Sequence, residues 1–197
     1  QALHSWFAHI PGLRVVMPAG VQDARDLLIS SVLCDDPVMY IDDRWLYDRQ
    51  ASLPPIVETP LAAEGPRVVR RGQDVTLVGA GHSAYLCEQA ADLLAAHRIS
   101  AEVVDVRVLN PLDPGPIVSS VRKTGRLFAV DGGWRTAGWS AEVLAIVAEA
   151  VDPRELHSRP VRISLPDAPA PTSSALEAIY YPTAATIVEA VRHNLGQ

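Results

Sequence analysis

The amino-acid sequence predicts an α/β fold built on a mostly parallel sheet. Short apolar segments alternate with longer segments of helical periodicity, first between residues 14 and 42 and then from Asp74 to the end of the chain. Continuous apolar runs are typical of strands that a parallel sheet buries on both faces. Strands that alternate with helices pair in parallel through right-handed crossovers, which place helices on both faces of the sheet. We therefore expect a sandwich of three layers.

A strand–helix–strand unit opens the chain. Residues 14–18 (RVVMP) are a predicted strand, and residues 21–34 carry apolar side chains at the spacing of one helix face. The sequence Asp35-Asp36-Pro37 ends this helix, because the residue before a proline is disfavoured in the α conformation. Residues 37–42 (PVMYID) form the second predicted strand. This unit is typical of the end of an α/β domain.

Residues 48–73 differ from the segments on either side because they contain several prolines and few consecutive apolar residues. We expect an extended linker, with one short strand at Arg67–Arg70. From Asp74 the alternation becomes regular. Strands are predicted at 74–81, 100–109, 126–133 and 160–167, and helices at 83–97, 114–125, 138–151 and 183–196. Candidate caps of these helices are Ser83, Asp113, Thr183 and Gly196.

Composition and charge exclude several classes of partner. The formal net charge of −6 disfavours nucleic-acid binding, which needs clustered Lys and Arg. No apolar run approaches the ~20 residues that a membrane-spanning helix needs. We therefore expect no nucleic-acid and no membrane partner. The two cysteines, Cys34 and Cys87, match neither a disulfide framework nor a metal-ligand spacing, and they favour a reducing, cytoplasmic setting.

Two glycine motifs have a functional and a structural interpretation. The first, at residues 79–83 (GAGHS), could bind an anion at a helix N-terminus. It lacks the third glycine of the dinucleotide fingerprint, so a tight turn capped by Ser83 is favoured. The second, Asp131-Gly132-Gly133-Trp134, precedes Glu142 in a predicted first helical turn. Turn and cap chemistry is favoured there over catalysis, which would need an acid–base partner that the sequence does not show.

Arg44 follows Asp42 and Asp43 at the end of a predicted strand. Ligands of open α/β sheets collect at these strand ends, and a guanidinium group there can bind a carboxylate or a phosphate in bidentate fashion. The two aspartates could instead neutralise Arg44. The sequence leaves both interpretations open.

The order of motifs along nearly the whole chain resembles thiamine-diphosphate enzymes of the transketolase family. The greatest likeness is to the β subunits of 2-oxo-acid dehydrogenase E1 components, including pyruvate dehydrogenase E1. It rests on residues 6–24 (WFAHIPGLRVVMPAGVQDA), on Asp36-Pro37-Val38, on residues 72–76 (GQDVT), on Asp131-Gly132-Gly133-Trp134 and on Tyr181-Pro182. By this resemblance, residues 1–47 correspond to the rear part of a pyrimidine-binding domain, residues 48–73 to a linker, and residues 74–197 to a transketolase C-terminal domain.

The resemblance implies a C-terminal portion of a thiamine-diphosphate-dependent enzyme that contributes subunit assembly and part of the substrate pocket. It implies that thiamine diphosphate and Mg²⁺ are bound by a preceding portion or by an α subunit. We therefore assign no catalytic and no cofactor-binding residue here and expect the chain alone to be catalytically silent. A homodimer and an E2 acyltransferase are implied as further partners. The alternatives are a non-catalytic docking module for an E2 or sister subunit, and a small nucleotide-binding protein.

Two sites follow from the same resemblance. A structural potassium ion would be held by Ser31, Val32, Cys34 and Asp36, the first two through backbone carbonyls. Arg44 departs from E1 β subunits, which carry Glu there, and matches transketolases, in which an Arg at that strand end binds the phosphate of the substrate. Arg44 is therefore the predicted substrate-binding residue. The reaction class, oxidoreductase or transferase, stays open.

Overall fold

The computed structural model describes residues 2–197, which form two sheets. The smaller sheet has the strand order β2-β1-β6. Strands β1 (Arg14–Val16) and β2 (Val38–Tyr40) are parallel, and β6 (Val108–Asn110) pairs antiparallel with β1. Helix α1 (His4–Ala8) precedes β1, and α2 (Val21–Val32) connects β1 to β2. The predicted strand–helix–strand unit is confirmed.

The larger sheet has five strands in the order β3-β5-β4-β7-β8. Four of them are parallel, and only the edge strand β3 is antiparallel to its neighbour. The five strands are β3 (Arg67–Arg70), β4 (Val75–Gly79), β5 (Ala101–Asp105), β7 (Leu127–Trp134) and β8 (Val161–Leu165). The predicted short strand in the proline-rich segment is therefore β3, and the mostly parallel sheet is confirmed.

Helices cover both faces of the larger sheet because neighbouring residues of a strand point to opposite faces. Leu77 of β4 packs in the core beneath α3 (His82–Ala96) and α7 (Ala184–Asn194). The next residue, Val78, packs in the opposite core with α4 (Gly115–Thr124) and α5 (Trp139–Ala150). The expected three layers are thus present. In the structure no helix between residues 2 and 197 is long and apolar enough to cross a membrane.

The predicted strand 100–109 is wrong in one respect, because the chain breaks it at Arg107. This residue has a φ of 60°, in the left-handed region, and the chain then continues as β6 in the smaller sheet. The Arg107 side chain is 2% exposed and binds Asp23 at 2.8 Å and Glu64 at 2.7 Å. Burial disfavours the charged guanidinium, but these two carboxylates raise the pKa of Arg107 above its usual value. A buried ion cluster therefore joins the two sheets.

The helix ends show which local predictions hold. Thr183 caps α7 by accepting the N–H of Thr186 at 3.2 Å, as predicted. Asp113 accepts the N–H of Gly115 at 2.9 Å, but the N-cap residue of α4 is Pro114, so Asp113 as the N-cap is wrong. Ser83 as a cap is wrong, because α3 begins at His82 and its N-cap residue is Gly81. The sequence patterns also missed α6 (Ser174–Tyr180), whose side chains pack too little to show a buried face. The predicted division of the chain into residues 1–47, 48–73 and 74–197 stays a prediction.

Candidate functional site

A cavity of about 450 Å³ lies where the two sheets meet. Its walls come from the segments that follow β1, β2 and β4, from β7 itself, and from residues 2–4 and 181–182. Six residues matter most to its chemistry: His4, Asp43, Arg44, Trp45, His82 and Tyr181. Ligands of α/β sheets collect outside the carboxyl ends of strands. This cavity is therefore the candidate site.

Arg44 lies on a single helical turn, Arg44–Leu46, directly after β2, and its side chain is exposed at the cavity. Its neighbouring carboxylates have other partners. Asp43 accepts the N–H of Trp45 at 3.0 Å, and Asp42 accepts the hydroxyl of Tyr47. Within the described residues 2–197, Arg44 forms no ion pair. The guanidinium is therefore exposed at the cavity, and the substrate-binding role of Arg44 stays a prediction.

An aromatic cluster lines one side of the cavity and joins three distant segments. The ring of Trp45 meets His82 edge-on at 4.6 Å between centroids and Tyr181 at 5.1 Å. Trp45 is still 56% exposed, so it presents an aromatic surface to the cavity. Partial burial lowers the pKa of His82, and the charge of Asp43 offsets only part of this effect. His82 is therefore predominantly neutral at neutral pH.

A buried pair joins His4, which lines the cavity, to Asp131. The Nε2 atom of His4 is 2.8 Å from Oδ1 of Asp131, and both residues are almost fully buried. Burial raises the pKa of a carboxyl group, but hydrogen bonds from His4, Gly133 and Ser140 outweigh this and hold the pKa of Asp131 below its usual value. Asp131 is therefore ionised. The motif Asp131-Gly132-Gly133-Trp134 thus has a hydrogen-bonding partner that its own sequence does not reveal.

The N-terminus of α5 is capped by side chains from elsewhere in the chain. Its N-cap residue is Gly138, which has no side chain to offer. Instead, Ser5 accepts the N–H of Trp139 at 2.8 Å, and Asp131 accepts the N–H of Ser140 at 2.9 Å. A side-chain oxygen at these positions satisfies donors that the helix leaves unpaired. The predicted cap chemistry of Asp131 is confirmed, and Ser5 is an additional cap.

The glycine motif at residues 79–83 forms the tight turn that the sequence favours. Gly81 has a φ of 54°, and a Cβ atom there would lie 2.7 Å from the Cε atom of Met17. Gly79 is equally constrained, because an added Cβ would lie 2.7 Å from the backbone N of Ala84. Close packing of the two chain segments therefore accounts for both glycines. No dinucleotide fingerprint is needed to explain them.

Comparisons with known proteins agree with this architecture. The family model "Transketolase, C-terminal domain" matches residues 65–187, which is more than half of the chain. The chain belongs to the transketolase C-terminal domain family. The match begins just before β3, so it covers the whole larger sheet, whose first residue is Arg67.

Three relatives of this family member illustrate its place in the family. It is 34% identical to a pyruvate dehydrogenase E1 component subunit beta from Rickettsia felis, over 94% of this chain and 56% of that protein. It is 37% identical to the mitochondrial subunit of the same name from Dictyostelium discoideum, over 90% and 50%. It is 34% identical to a mitochondrial 2-oxoisovalerate dehydrogenase subunit beta 2 from Arabidopsis thaliana, over 100% and 54%. The chain thus spans about half the length of these relatives.

A solved structure extends the likeness to three dimensions. It is a split-gene transketolase in an inactive beta4 tetramer, with a TM-score of 0.78 and 25% identity. The match covers 98% of this family member and 61% of the other chain. The likeness therefore includes the smaller sheet, which the family model does not cover.

The predicted potassium ligands lie at the end of α2 in this family member. The backbone carbonyl of Ser31 accepts the N–H of Cys34 at 3.3 Å, and its hydroxyl donates to the carbonyl of Leu27 at 2.6 Å. The Asp36 carboxylate accepts the Nε–H of Arg14 at 2.7 Å. A potassium ion there would have to share Asp36 with Arg14. The site formed by Ser31, Val32, Cys34 and Asp36 stays a prediction.

Sequence reasoning named Arg44, which lines the cavity, but did not predict that His4, His82 and Tyr181 line it too. His4 and Asp131 are 127 residues apart, and neither lies in a motif that predicts the other. The available signal was the acidic residue Asp131 within a buried strand, because a buried carboxylate needs a partner. That signal indicates that a partner exists and does not say which residue it is.

Proposed function

We propose that this chain is the C-terminal portion of a thiamine-diphosphate-dependent enzyme that cleaves a carbon–carbon bond next to a carbonyl group. The observation that carries this proposal is its family membership together with its likeness to E1 β subunits over nearly its whole length. In such an enzyme the cofactor supplies the carbanion chemistry, and the protein supplies binding and orientation. The reaction belongs to the 2-oxo-acid dehydrogenase or the transketolase class.

We propose that a preceding portion or an α subunit binds thiamine diphosphate and Mg²⁺, as the likeness to E1 β subunits over about half of their length suggests. This chain would form one wall of the substrate pocket and would be inactive alone.

Calorimetric titration of thiamine diphosphate with Mg²⁺ into the purified chain tests this assignment. We expect no heat of binding while circular dichroism shows that the fold is intact. Saturable binding at micromolar concentration would contradict it, because these residues would then hold a cofactor site. Addition of a matching N-terminal portion or α subunit should create both the binding and the turnover of a 2-oxo acid or a ketose phosphate.

Arg44 is the proposed anion-binding residue of this pocket wall. The support is its position after β2, its exposure at the cavity and the engagement of Asp42 and Asp43 elsewhere. Titration of inorganic phosphate into the chain, followed by NMR, should show weak binding that Arg44→Gln reduces about tenfold, the effect of losing ~1.4 kcal/mol. Arg154→Gln, at an exposed position far along the chain, is the matched control and should change nothing. Equal phosphate affinity in the two variants would rule out Arg44.

A second role, subunit assembly, is supported by an open groove of about 1000 Å³ between α1, α5 and the loops after β6 and β7. Its wall is mostly apolar, and Trp6 on α1 is 68% exposed there. Apolar surface of this kind marks protein–protein contacts. We propose a homodimer and an α subunit as partners, with E2 docking as the alternative function. Sedimentation of the chain alone and with each partner tests these, and a monomer that binds none of them would contradict the proposal.

Two further expectations complete the proposal. Cys34 and Cys87 are both free thiols, which fits a cytoplasmic setting. A potassium ion at the end of α2 should raise the melting temperature of the chain in potassium chloride relative to lithium chloride. An identical melting temperature in the two salts would exclude that site.

A further inference from the structure

The indole ring of Trp45 is held by two neighbouring rings, but no other ring stacks on it. His82 and Tyr181 contact it at centroid distances of 4.6 and 5.1 Å, and their rings are inclined to the indole plane by 79° and 68°. Among residues 2–197 no aromatic ring lies parallel to this indole and no cationic side chain lies over it. Trp45 remains 56% exposed at the cavity, so a flat group of a ligand can stack on it.

The cavity is larger than a small anion needs. Its volume of about 450 Å³ falls in the range of ~300–1,000 Å³ that is typical of pockets for whole small-molecule ligands. Its lining is partly apolar, because Met17, Ile41 and Leu86 contribute to it beside Trp45. A phosphate or pyruvate ion on Arg44 would fill only a fraction of this space. The cavity therefore suits an occupant that carries an apolar body as well as an anionic group.

The charges of the lining favour a ligand with a single negative charge. Arg44 is the one Lys or Arg among the described residues that line the cavity, and the carboxylates of Asp42 and Asp43 line it too. His82 is predominantly neutral and does not offset them. A dianion bound to Arg44 would be repelled by these two carboxylates more strongly than a monoanion would. A carboxylate therefore fits this cavity better than a phosphate ester does.

We propose that the cavity takes a 2-oxo acid whose side chain carries an aromatic ring, and that this ring stacks on Trp45 while Arg44 binds the carboxylate. Both residues lie on the same helical turn, Arg44–Leu46, which presents ring and charge together. The proposal rests on the proposed function, in which Arg44 binds the anionic group of the substrate. It narrows the reaction to the 2-oxo-acid dehydrogenase class, because ketose phosphates carry no aromatic ring. Trp45 is then a specificity-determining residue.

Three 2-oxo acids separate the role of the ring from the role of the charge. Pyruvate, cyclohexylglyoxylate and phenylglyoxylate share the 2-oxo carboxylate and differ only in its substituent. Titration of each into the whole chain, followed by NMR, should show phenylglyoxylate binding about three- to tenfold more tightly than cyclohexylglyoxylate, because an aromatic pair gains stability beyond the area that it buries. Trp45→Leu should remove this preference. Trp45→Phe, which keeps a ring at the same position, should retain most of it.

Labelling the indole nitrogens of the four tryptophans with ¹⁵N gives a readout that does not depend on a variant. Phenylglyoxylate should move the signal of Trp45 and leave the signals of the three tryptophans outside the cavity unchanged. Equal affinity for phenylglyoxylate and cyclohexylglyoxylate, an unmoved Trp45 signal, or a preference that survives in Trp45→Leu would overturn the role of Trp45. If all three acids bind equally and Arg44→Gln weakens them all, Arg44 keeps its role and Trp45 loses it. If no acid binds, both roles fail, and the titration of thiamine diphosphate still tests the rest of the proposed function separately.

Discussion

Removal of the Arg107 side chain tests the buried ion cluster that joins the two sheets. Arg107→Met keeps most of the side-chain volume and removes the charge. Asp23 and Glu64 would then remain as carboxylates of which only 12% and 10% is exposed. Each would keep only a longer contact to the half-exposed Arg67, at 3.4 Å and 3.9 Å. Breaking a buried pair in this way is strongly destabilising because the remaining buried charges are poorly compensated.

The contact geometry sets the expected size of the effect. Arg107 makes charged hydrogen bonds of 2.8 Å to Asp23 and 2.7 Å to Glu64, and a third of 3.1 Å to the carbonyl of Gly65. Charged hydrogen bonds contribute about 1.5–3 kcal/mol each, so two of them account for the ~3–5 kcal/mol typical of broken buried pairs. With a denaturant slope of ~2 kcal/mol per molar urea, the unfolding midpoint should fall by about 2 M.

Urea unfolding followed by tryptophan fluorescence measures this midpoint. The triple variant Arg107→Met, Asp23→Asn, Glu64→Gln should recover most of the loss, because it leaves no unpaired charge buried. Arg154→Met is the control: Arg154 is 90% exposed, and the loss of its pair with Asp152 should leave the midpoint unchanged. The reasoning is refuted if Arg107→Met costs less than about 1 kcal/mol, or if the triple variant is no more stable than the single one.

Three further changes have defined outcomes. Burial and the charges of Asp23 and Glu88 raise the pKa of Asp105 well above its usual value, and its Oδ1 atom has no hydrogen-bond partner among the described residues. Because Asp105 ionises at lower pH in the unfolded state than in the folded state, stability should fall as pH rises above the unfolded pKa of ~3.9. Asp105→Asn should remove this loss in thermal unfolding measured across pH. A variant with the same pH profile as the original chain would contradict the expectation. Gly72→Ala would place a Cβ atom 2.1 Å from the backbone carbonyl carbon of Ala101 and should prevent stable folding. Gly65→Ala, whose added Cβ would have its nearest neighbour 3.8 Å away, should be tolerated in the same thermal unfolding assay. Equal stability of the two variants would contradict this expectation. Ser5→Ala removes a cap of α5 and should cost about 1 kcal/mol in urea unfolding; a change below about 0.3 kcal/mol would show that water replaces the cap.

Local patterns predicted the larger sheet well because its central strands are mainly apolar. Residues of β4 and β5 are buried throughout, and a mainly apolar segment indicates that environment without reference to any partner, although β5 also buries Glu102 and Asp105. The same reasoning failed at Arg107, where apolar residues continue on both sides but the backbone turns into the left-handed region. The turn depends on carboxylates from α2 and from the proline-rich segment, which no local window contains.

The helix caps divide in the same way. Thr183 caps α7 with its own side chain, so the capping residue lies beside the helix in sequence and could be predicted. The caps of α5 come from Ser5 and from Asp131, and the residue at its N-cap position is a glycine. Sequence reasoning finds a cap only when it is local, and here the fold provides a distant one.

The sequence by itself determined the α/β class, the parallel pairing, the family and the placement of Arg44 at a strand end. These properties follow from the pattern of apolar residues and from the order of motifs, and both can be read along the chain without knowing which residues are in contact. Only the tertiary structure decided that His4 meets Asp131 and that Trp45 meets His82 and Tyr181. Such contacts join residues that are far apart along the chain, and their partners are selected by the packing of sheets and helices, which local preferences do not encode.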